Sequence, residues 1–282
     1  MDWQPLPRRD GHLAIAAAGP PQAPPVVLLH GFLADSRAWR QVVDKAALPE
    51  RRWLAVDLPG HGASAQVLLA GAPDPWAAVG ELVDRSLSEY LHGPFAVVGY
   101  SAGGRVAAWW ALQGQMPKRL GLSALVLESA HPGLAVPAER AARWAQDQAR
   151  AAELLAVGLP EFVAAWEQLP LFASQHRLGQ DHTRLLAQKR IRLDQHPDGL
   201  VDHLRTLSTG TMPRLDDLGA RADVPALVLA GQEDTAYCAL APRWLKPLPK
   251  AELRFVAGAG HNLHLEAPAA WQAAVAEALG RQ

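Results

Sequence analysis

The 282-residue chain has one cysteine, Cys238, so no disulfide can form within it. A lone thiol also cannot make a thiolate metal cluster or a dithiol redox pair, and Cys238 is read as a bystander. Neither sign of charge is in excess: 27 Lys and Arg stand against 28 Asp and Glu, a formal net charge of −1. Nothing there would hold a phosphate backbone, which argues against a nucleic-acid partner. No polybasic run exists for an anionic lipid surface, and no stretch of about 18 apolar residues could span a bilayer. The opening residues, Met1-Asp2-Trp3-Gln4-Pro5 with Arg8 and Arg9 after them, lack a charged start leading into an apolar core. No secretory leader is expected from them, no membrane association, and the expected compartment is the cytoplasm. Metal-ligand spacings and Gly-rich phosphate loops are also missing, so neither a metal nor another cofactor is expected.

What is present is apolar and alternating. Hydrophobic residues make up 49% of the chain, enough for a sizeable core in a single α/β domain with an insertion. Short apolar runs recur at Val26–Leu29, Trp53–Val56, Phe95–Val98, Ala124–Leu127, Ala226–Ala230 and Leu253–Val256, most of them closed by Gly or Pro. Such runs suit parallel strands covered on both faces. Helical periodicity fills stretches between them, at Ala77–Leu91 and Arg105–Leu112, and again near the end at Ala269–Leu279. Strand–helix alternation predicts an α/β fold with a mostly parallel central sheet and helices on both faces. From about Pro132 to Met212 the alternation stops and four helical segments follow, at Ala138–Leu155, Pro160–Gln168, Thr183–Arg192 and Leu200–Leu207. The predicted organisation is a core from 1–131, a helical cap inserted over 132–212, and the rest of the core over 213–282. A cap closing over a sheet edge encloses a cavity where a ligand can bind.

Gly99-Tyr100-Ser101-Ala102-Gly103 matches Gly-x-Ser-x-Gly, directly after one predicted strand and before a predicted helix. That setting is the nucleophile elbow of the α/β-hydrolase fold, with small residues because the turn is strained and tightly packed. His261, in Gly258-Ala259-Gly260-His261, follows the last predicted strand, where it can take the serine proton. Asp234, in Gly231-Gln232-Glu233-Asp234, follows the strand before that and can orient the imidazole, with Glu233 as its rival. The chain order Ser, Asp, His is the one this fold uses. The fold also takes oxyanion-hole amides from the loop after an early strand and from the residue after the serine, which nominates Phe32 and Ala102. His30, Asp57 and His61 read as loop-shaping rather than catalytic.

The segments His30-Gly31-Phe32, Asp57-Leu58-Pro59-Gly60-His61-Gly62 and Gly258-Ala259-Gly260-His261 resemble the α/β-hydrolase superfamily at large. Narrower matches are Gly99 to Arg105, Glu128 to Leu134, Trp166 to Ser174 and Gly231 to Asp234. Together they resemble the 2-succinyl-6-hydroxy-2,4-cyclohexadiene-1-carboxylate synthases, pyruvate-eliminating lyases of menaquinone biosynthesis, over roughly Val26 to Pro268. The resemblance implies a small polycarboxylate substrate and no cofactor. It implies Ser101 as a proton-abstracting base, His261 as acceptor of the serine proton, Asp234 as its orienter, and elimination without water. It also implies carboxylate-binding roles for Arg105, Arg143 and Arg192, and a pocket lined by Tyr100 and Trp166. Arg105 lies one helical turn after Ser101, so the two can share a face. Arg140 stands as the alternative to Arg143, and Arg190 as the alternative to Arg192. Alanine at 102, where a larger apolar residue is frequent in the family, leaves the amide role intact.

An esterase or carbon–carbon-bond hydrolase of the same fold shares the triad, so only the arginines discriminate: a neutral ester gives them nothing to pair with. A non-enzymatic ligand receptor on this fold is disfavoured by the complete Ser, Asp and His set. Composition does not fix the assembly, and a monomer or small homo-oligomer is expected.

Overall fold

The computed structural model describes residues 1–43, 50–179, 181–215 and 224–280. Among them eight strands form one sheet: β1 Gln4–Pro5, β2 Ile15–Ala18, β3 Pro25–Leu29, β4 Arg52–Val56, β5 Phe95–Tyr100, β6 Leu122–Glu128, β7 Ala226–Gly231 and β8 Ala251–Val256. Their spatial order is β1-β2-β4-β3-β5-β6-β7-β8. All pairings from β4 through β8 are parallel, and only the β1–β2 and β2–β4 pairings are antiparallel.

The continuous apolar runs work because both faces are covered. Along β3, Val27 and Leu29 join one buried cluster while Val26 and Leu28 join another. Val97 and Val98 of β5 divide in the same way, as do Val228 and Leu229 of β7. Each fully buried Val or Leu contributes about 1.5–3 kcal/mol, so this two-sided burial is the main force holding the sheet. Helices α1 Pro75–Leu87, α2 Ala102–Gln113 and α3 Gln115–Leu120 cover the first face, with Trp76 and Trp110 inserted. Asp74 starts α1 by accepting from the amides of Trp76 and Ala77, and Pro75 occupies the first turn, where its missing N–H costs nothing.

No strand interrupts the described chain between β6 and β7. Helices α4 Pro137–Val157, α5 Leu159–Glu167, α6 Thr183–Leu193 and α7 Pro197–Thr206 lie there, with tight 3₁₀ turns over Pro170–Leu178. Phe162, Val163, Leu154, Leu200 and Leu204 make a separate apolar cluster that closes onto Leu33 and Phe32, in the loop after β3. Then come α8 Thr235–Leu240, α9 Leu263–Glu266 and α10 Pro268–Gly280, the last packing Trp271 and Val275 on the sheet's second face. The expected boundary at 213 lies beside residues 216–223, and residues 281–282 end the expected second core segment; both stretches fall outside the described residues.

β3 is where the chain changes direction across the sheet: β4 lies on one side of it and β5 on the other. Ligands in open parallel sheets bind at the carboxyl ends of strands beside such a switch point. The loops after β3 and β5 hold His30-Gly31-Phe32 and Ser101.

Candidate active site

Ser101 sits at φ +52° and ψ −111°, a region a non-glycine residue occupies only under constraint, at a cost of about 1–3 kcal/mol. Its N–H donates to the Glu128 carbonyl at 2.8 Å, and its own carbonyl accepts from the Arg105 amide at 3.1 Å. The turn fits only because its neighbours are small. A Cβ on Gly103 would stand 2.2 Å from the Leu29 carbonyl oxygen, and one on Gly31 would stand 2.7 Å from the Tyr100 ring. The β3 loop and the elbow are therefore pressed together, which brings the amides of Phe32 and Ala102 to the same end of the sheet. Neither amide finds an acceptor among the described residues.

His261 Nε2 lies 3.0 Å from Ser101 Oγ, and His261 Nδ1 lies 2.7 Å from Asp234 Oδ2. In the neutral tautomer that satisfies both contacts, Nδ1–H donates to the carboxylate and Nε2 accepts from the serine hydroxyl. Glu233 turns away and pairs with Arg177 instead. Asp234 also caps α8, its Oδ1 accepting from the Tyr237 amide. His261 is 1% exposed, with the rings of Tyr237, Tyr100 and Phe172 at 4.6, 5.6 and 6.1 Å. That aromatic shell excludes water and strengthens the electrostatics within.

The space above Ser101 has two lobes that share Phe32, Ser101, Trp166 and Leu171 as a common wall. The larger, about 280 Å³, is lined by Ala102, Arg105, Arg143, Arg150, Asp147 and Tyr237 among others. The smaller, about 70 Å³, is lined by Tyr100, Phe172, Arg184, Arg192 and His264 among others. Ser101, Arg105 of α2 and guanidinium groups from the helices between β6 and β7 thus meet in one cavity.

Arg105 is the unusual one. It is 8% exposed, yet no carboxylate of the described residues pairs with it. Its Nη1 donates to the Leu207 carbonyl at 2.7 Å, and its guanidinium carbon lies 5.9 Å from the Trp76 ring. Burial first, and then the nearby Arg143, push it down to about 10. Arg143 donates from Nε to Asp147 Oδ2 at 2.9 Å, and Asp147 also accepts from Arg150 and Ser208. The larger lobe therefore faces three guanidiniums with one carboxylate. Arg192 is buried against Phe172 and paired with Glu167 at 2.9 Å. The alternatives lie elsewhere: Arg140 donates to the Met212 carbonyl and does not line the cavity, and Arg190 is exposed.

Tyr100 is buried, packed on His261 and His264, and Trp166 stands between the lobes with its ring 5.1 Å from that of Phe32. Asp57 accepts from the amides of Ser36 and Ala63, and His30 Nε2 accepts from the Leu58 amide, so both shape loops. Among the described residues no cluster of three or more His, Cys, Asp or Glu is arranged for a metal, and no helix is long and apolar enough to cross a membrane. Sequence reasoning missed Arg150, Arg184 and Tyr237. Arg150 follows Arg143 by seven residues, two turns along one helix face, a signal that was available. Arg184 and Tyr237 carried none.

A strained serine after a parallel strand, followed in chain order by Asp and His on later loops, defines an α/β-hydrolase-fold protein. The alpha/beta hydrolase family model matches residues 26–275, and the chain belongs to that family, within the group of 2-succinyl-6-hydroxy-2,4-cyclohexadiene-1-carboxylate synthases. The synthase of that name from Escherichia coli (strain K12 / DH10B) is 36% identical over 94% of this chain and 98% of its own length. The one from Citrobacter koseri is 36% identical over 91% of this chain and 94% of its own. The solved structure of MenH from S. aureus matches with a TM-score of 0.83 at 30% identity, covering 96% of this chain and 98% of that one. A thermophilic esterase from Thermogutta terrifontis, at 22% identity and a TM-score of 0.76, shares the fold.

Proposed function

We propose that this enzyme eliminates pyruvate from 2-succinyl-5-enolpyruvyl-6-hydroxy-3-cyclohexene-1-carboxylate to give the 2,4-cyclohexadiene product for which its relatives are named. The observation that carries this reading is Arg105: a buried cation without a carboxylate partner, in the cavity above Ser101. An unpaired buried charge costs several kcal/mol and is tolerated where a ligand supplies its counter-ion. A neutral ester supplies none.

The chemistry follows from the two names. Oxygen is lost from carbon 5 and the ring goes from a 3-ene to a 2,4-diene, so the proton leaves carbon 2, beside the succinyl carbonyl. Ser101 Oγ takes that proton as its own passes to His261 Nε2, and Asp234 steadies the imidazolium. Negative charge spreads onto the succinyl carbonyl oxygen, where the amides of Phe32 and Ala102 stabilise it. The electron pair moves round the ring, the carbon–oxygen bond breaks, and enolpyruvate leaves and tautomerises to pyruvate. Water takes no part. Arg105 and Arg143 on one side of the serine, and Arg192 on the other, hold the carboxylates, while Tyr100 and Trp166 frame the ring. Residues 132–212 act as a cap over the core segments 1–131 and 213–282. The cap cluster that closes onto Phe32 supports this, as does the contribution of Arg143, Trp166 and Arg192 from that segment.

The test offers the purified enzyme this substrate and, separately, a short-chain nitrophenyl ester. Pyruvate release at a kcat/KM far above that for ester cleavage is expected. Fast ester cleavage with no pyruvate release overturns the reading.

A further inference from the structure

Proton and leaving group depart from opposite corners of a six-membered ring, so Ser101 and His261 cannot attend to both. The departing oxygen needs its own donor, about one ring width from the serine, near guanidiniums able to hold the leaving group's carboxylate. Tyr237 is the phenol that lines the same lobe as Ser101 and those guanidiniums. Its side chain lines the larger lobe with Arg105 and Arg143, and its ring stands edge-on to His261, with 4.6 Å between centroids. Its backbone amide is fixed by Asp234 Oδ1 at 3.2 Å, so α8 holds it in register with the triad. Its hydroxyl makes no hydrogen bond among the described residues and is not sealed off from the cavity. Burial is the first cause holding this phenol above its ordinary range, so it stays protonated and able to donate at neutral pH.

Resting on the elimination reading above, we propose that the Tyr237 hydroxyl donates to the ether oxygen of the departing enolpyruvyl group, whose carboxylate lies against Arg105 and Arg143. The balance closes. The carbon 2 proton reaches His261 through Ser101, and the carbon 2 electron pair becomes the new ring double bond. The old double bond shifts, and the carbon–oxygen pair leaves on oxygen. That oxygen takes the Tyr237 proton, and once the products leave, the tyrosinate regains a proton from solvent while the His261 imidazolium gives one up, so the proton count closes. Nothing is oxidised or reduced, and no further reactant enters.

The test is Tyr237→Phe, which keeps the ring on His261 and removes only the hydroxyl. A fall in kcat for pyruvate release of about 10²-fold, with KM changed less than threefold, is expected for loss of one donor to developing negative charge. In D₂O, substrate recovered from the variant should carry deuterium at carbon 2, because proton abstraction survives while carbon–oxygen cleavage lags. Unchanged kcat overturns the assignment. So does an equal fall in exchange and elimination, which would make Tyr237 only a support for His261. Absence of pyruvate release by the unmodified enzyme would instead defeat the elimination reading itself, so the two failures are distinguishable.

Discussion

Replacing Arg105 with methionine removes the charge and the donor fork while keeping most of the apolar stem. Nη1 is committed to the Leu207 carbonyl, so the remaining face of the guanidinium is what a ligand carboxylate can use. A hydrogen bond to a charged group contributes about 1.5–3 kcal/mol, and each 1.36 kcal/mol is tenfold. Loss of that contact should lower kcat/KM for pyruvate release about 10–150-fold. Folding stability should move much less. Orphaning the Leu207 carbonyl costs about 1–3 kcal/mol, and removing a buried unpaired cation offsets it. Arg105→Lys should fall between, holding charge without the planar fork. Pyruvate release followed by coupled reduction to lactate gives the kinetics, and urea midpoints give the stability. A methionine variant with wild-type kcat/KM would refute the reasoning, since the buried cation would then serve packing alone.

Ser101→Ala should lower kcat by about 10²–10⁴-fold, while titration calorimetry with the substrate shows affinity within a few-fold, because the base is lost and no carboxylate contact is. Glu128 accepts from His264 and Trp271 and is fully buried, so Glu128→Ala should lower unfolding free energy by about 3–5 kcal/mol, read from denaturant midpoints. Burial, with His30 next in weight, pushes the His61 imidazole down to about 3, against 6.5 unfolded. The unfolded chain takes up this proton below pH about 6.5 and the folded chain does not. Stability from this group is therefore complete above pH 6.5 and about 2 kcal/mol smaller at pH 5. His61→Asn should flatten the pH dependence of unfolding between 7 and 5 by about that amount, and an unchanged slope would contradict the assigned neutrality.

Much of the fold was legible because two-sided burial writes itself as unbroken apolar runs: β3 to β7 each coincide with one, while β8, an edge strand carrying Glu252 and Arg254 and only part-buried, showed through the shorter Leu253–Val256 segment. β2 escaped because its sequence, Ile15-Ala16-Ala17-Ala18, has neither alternation nor β-branched density, and only pairing with β4 makes it a strand. β1 is two exposed residues on that edge, and α3, six residues behind Gly114, is too short for periodicity to declare. At the site, Ser101, Asp234 and His261 were readable from motif and chain order, since each follows a strand at the same sheet end. The arginines were only half readable. Arg140 and Arg143 sit one turn apart, and which faces the cavity depends on how α4 rolls against α7, a tertiary fact absent from local sequence. Tyr237 gave no sign, because although it follows Asp234 by three residues, its importance comes from α8 lying against His261, a tertiary contact the local sequence does not show.

Pyruvate appears both on elimination and on hydrolysis of an enol ether, so the fate of the ring decides between them. The direct measurement is the mass of the ring product beside the pyruvate formed. The account predicts one pyruvate per turnover and a conjugated diene whose mass equals substrate minus pyruvate. A ring product heavier by one water, with its carbon 5 oxygen retained, would contradict it.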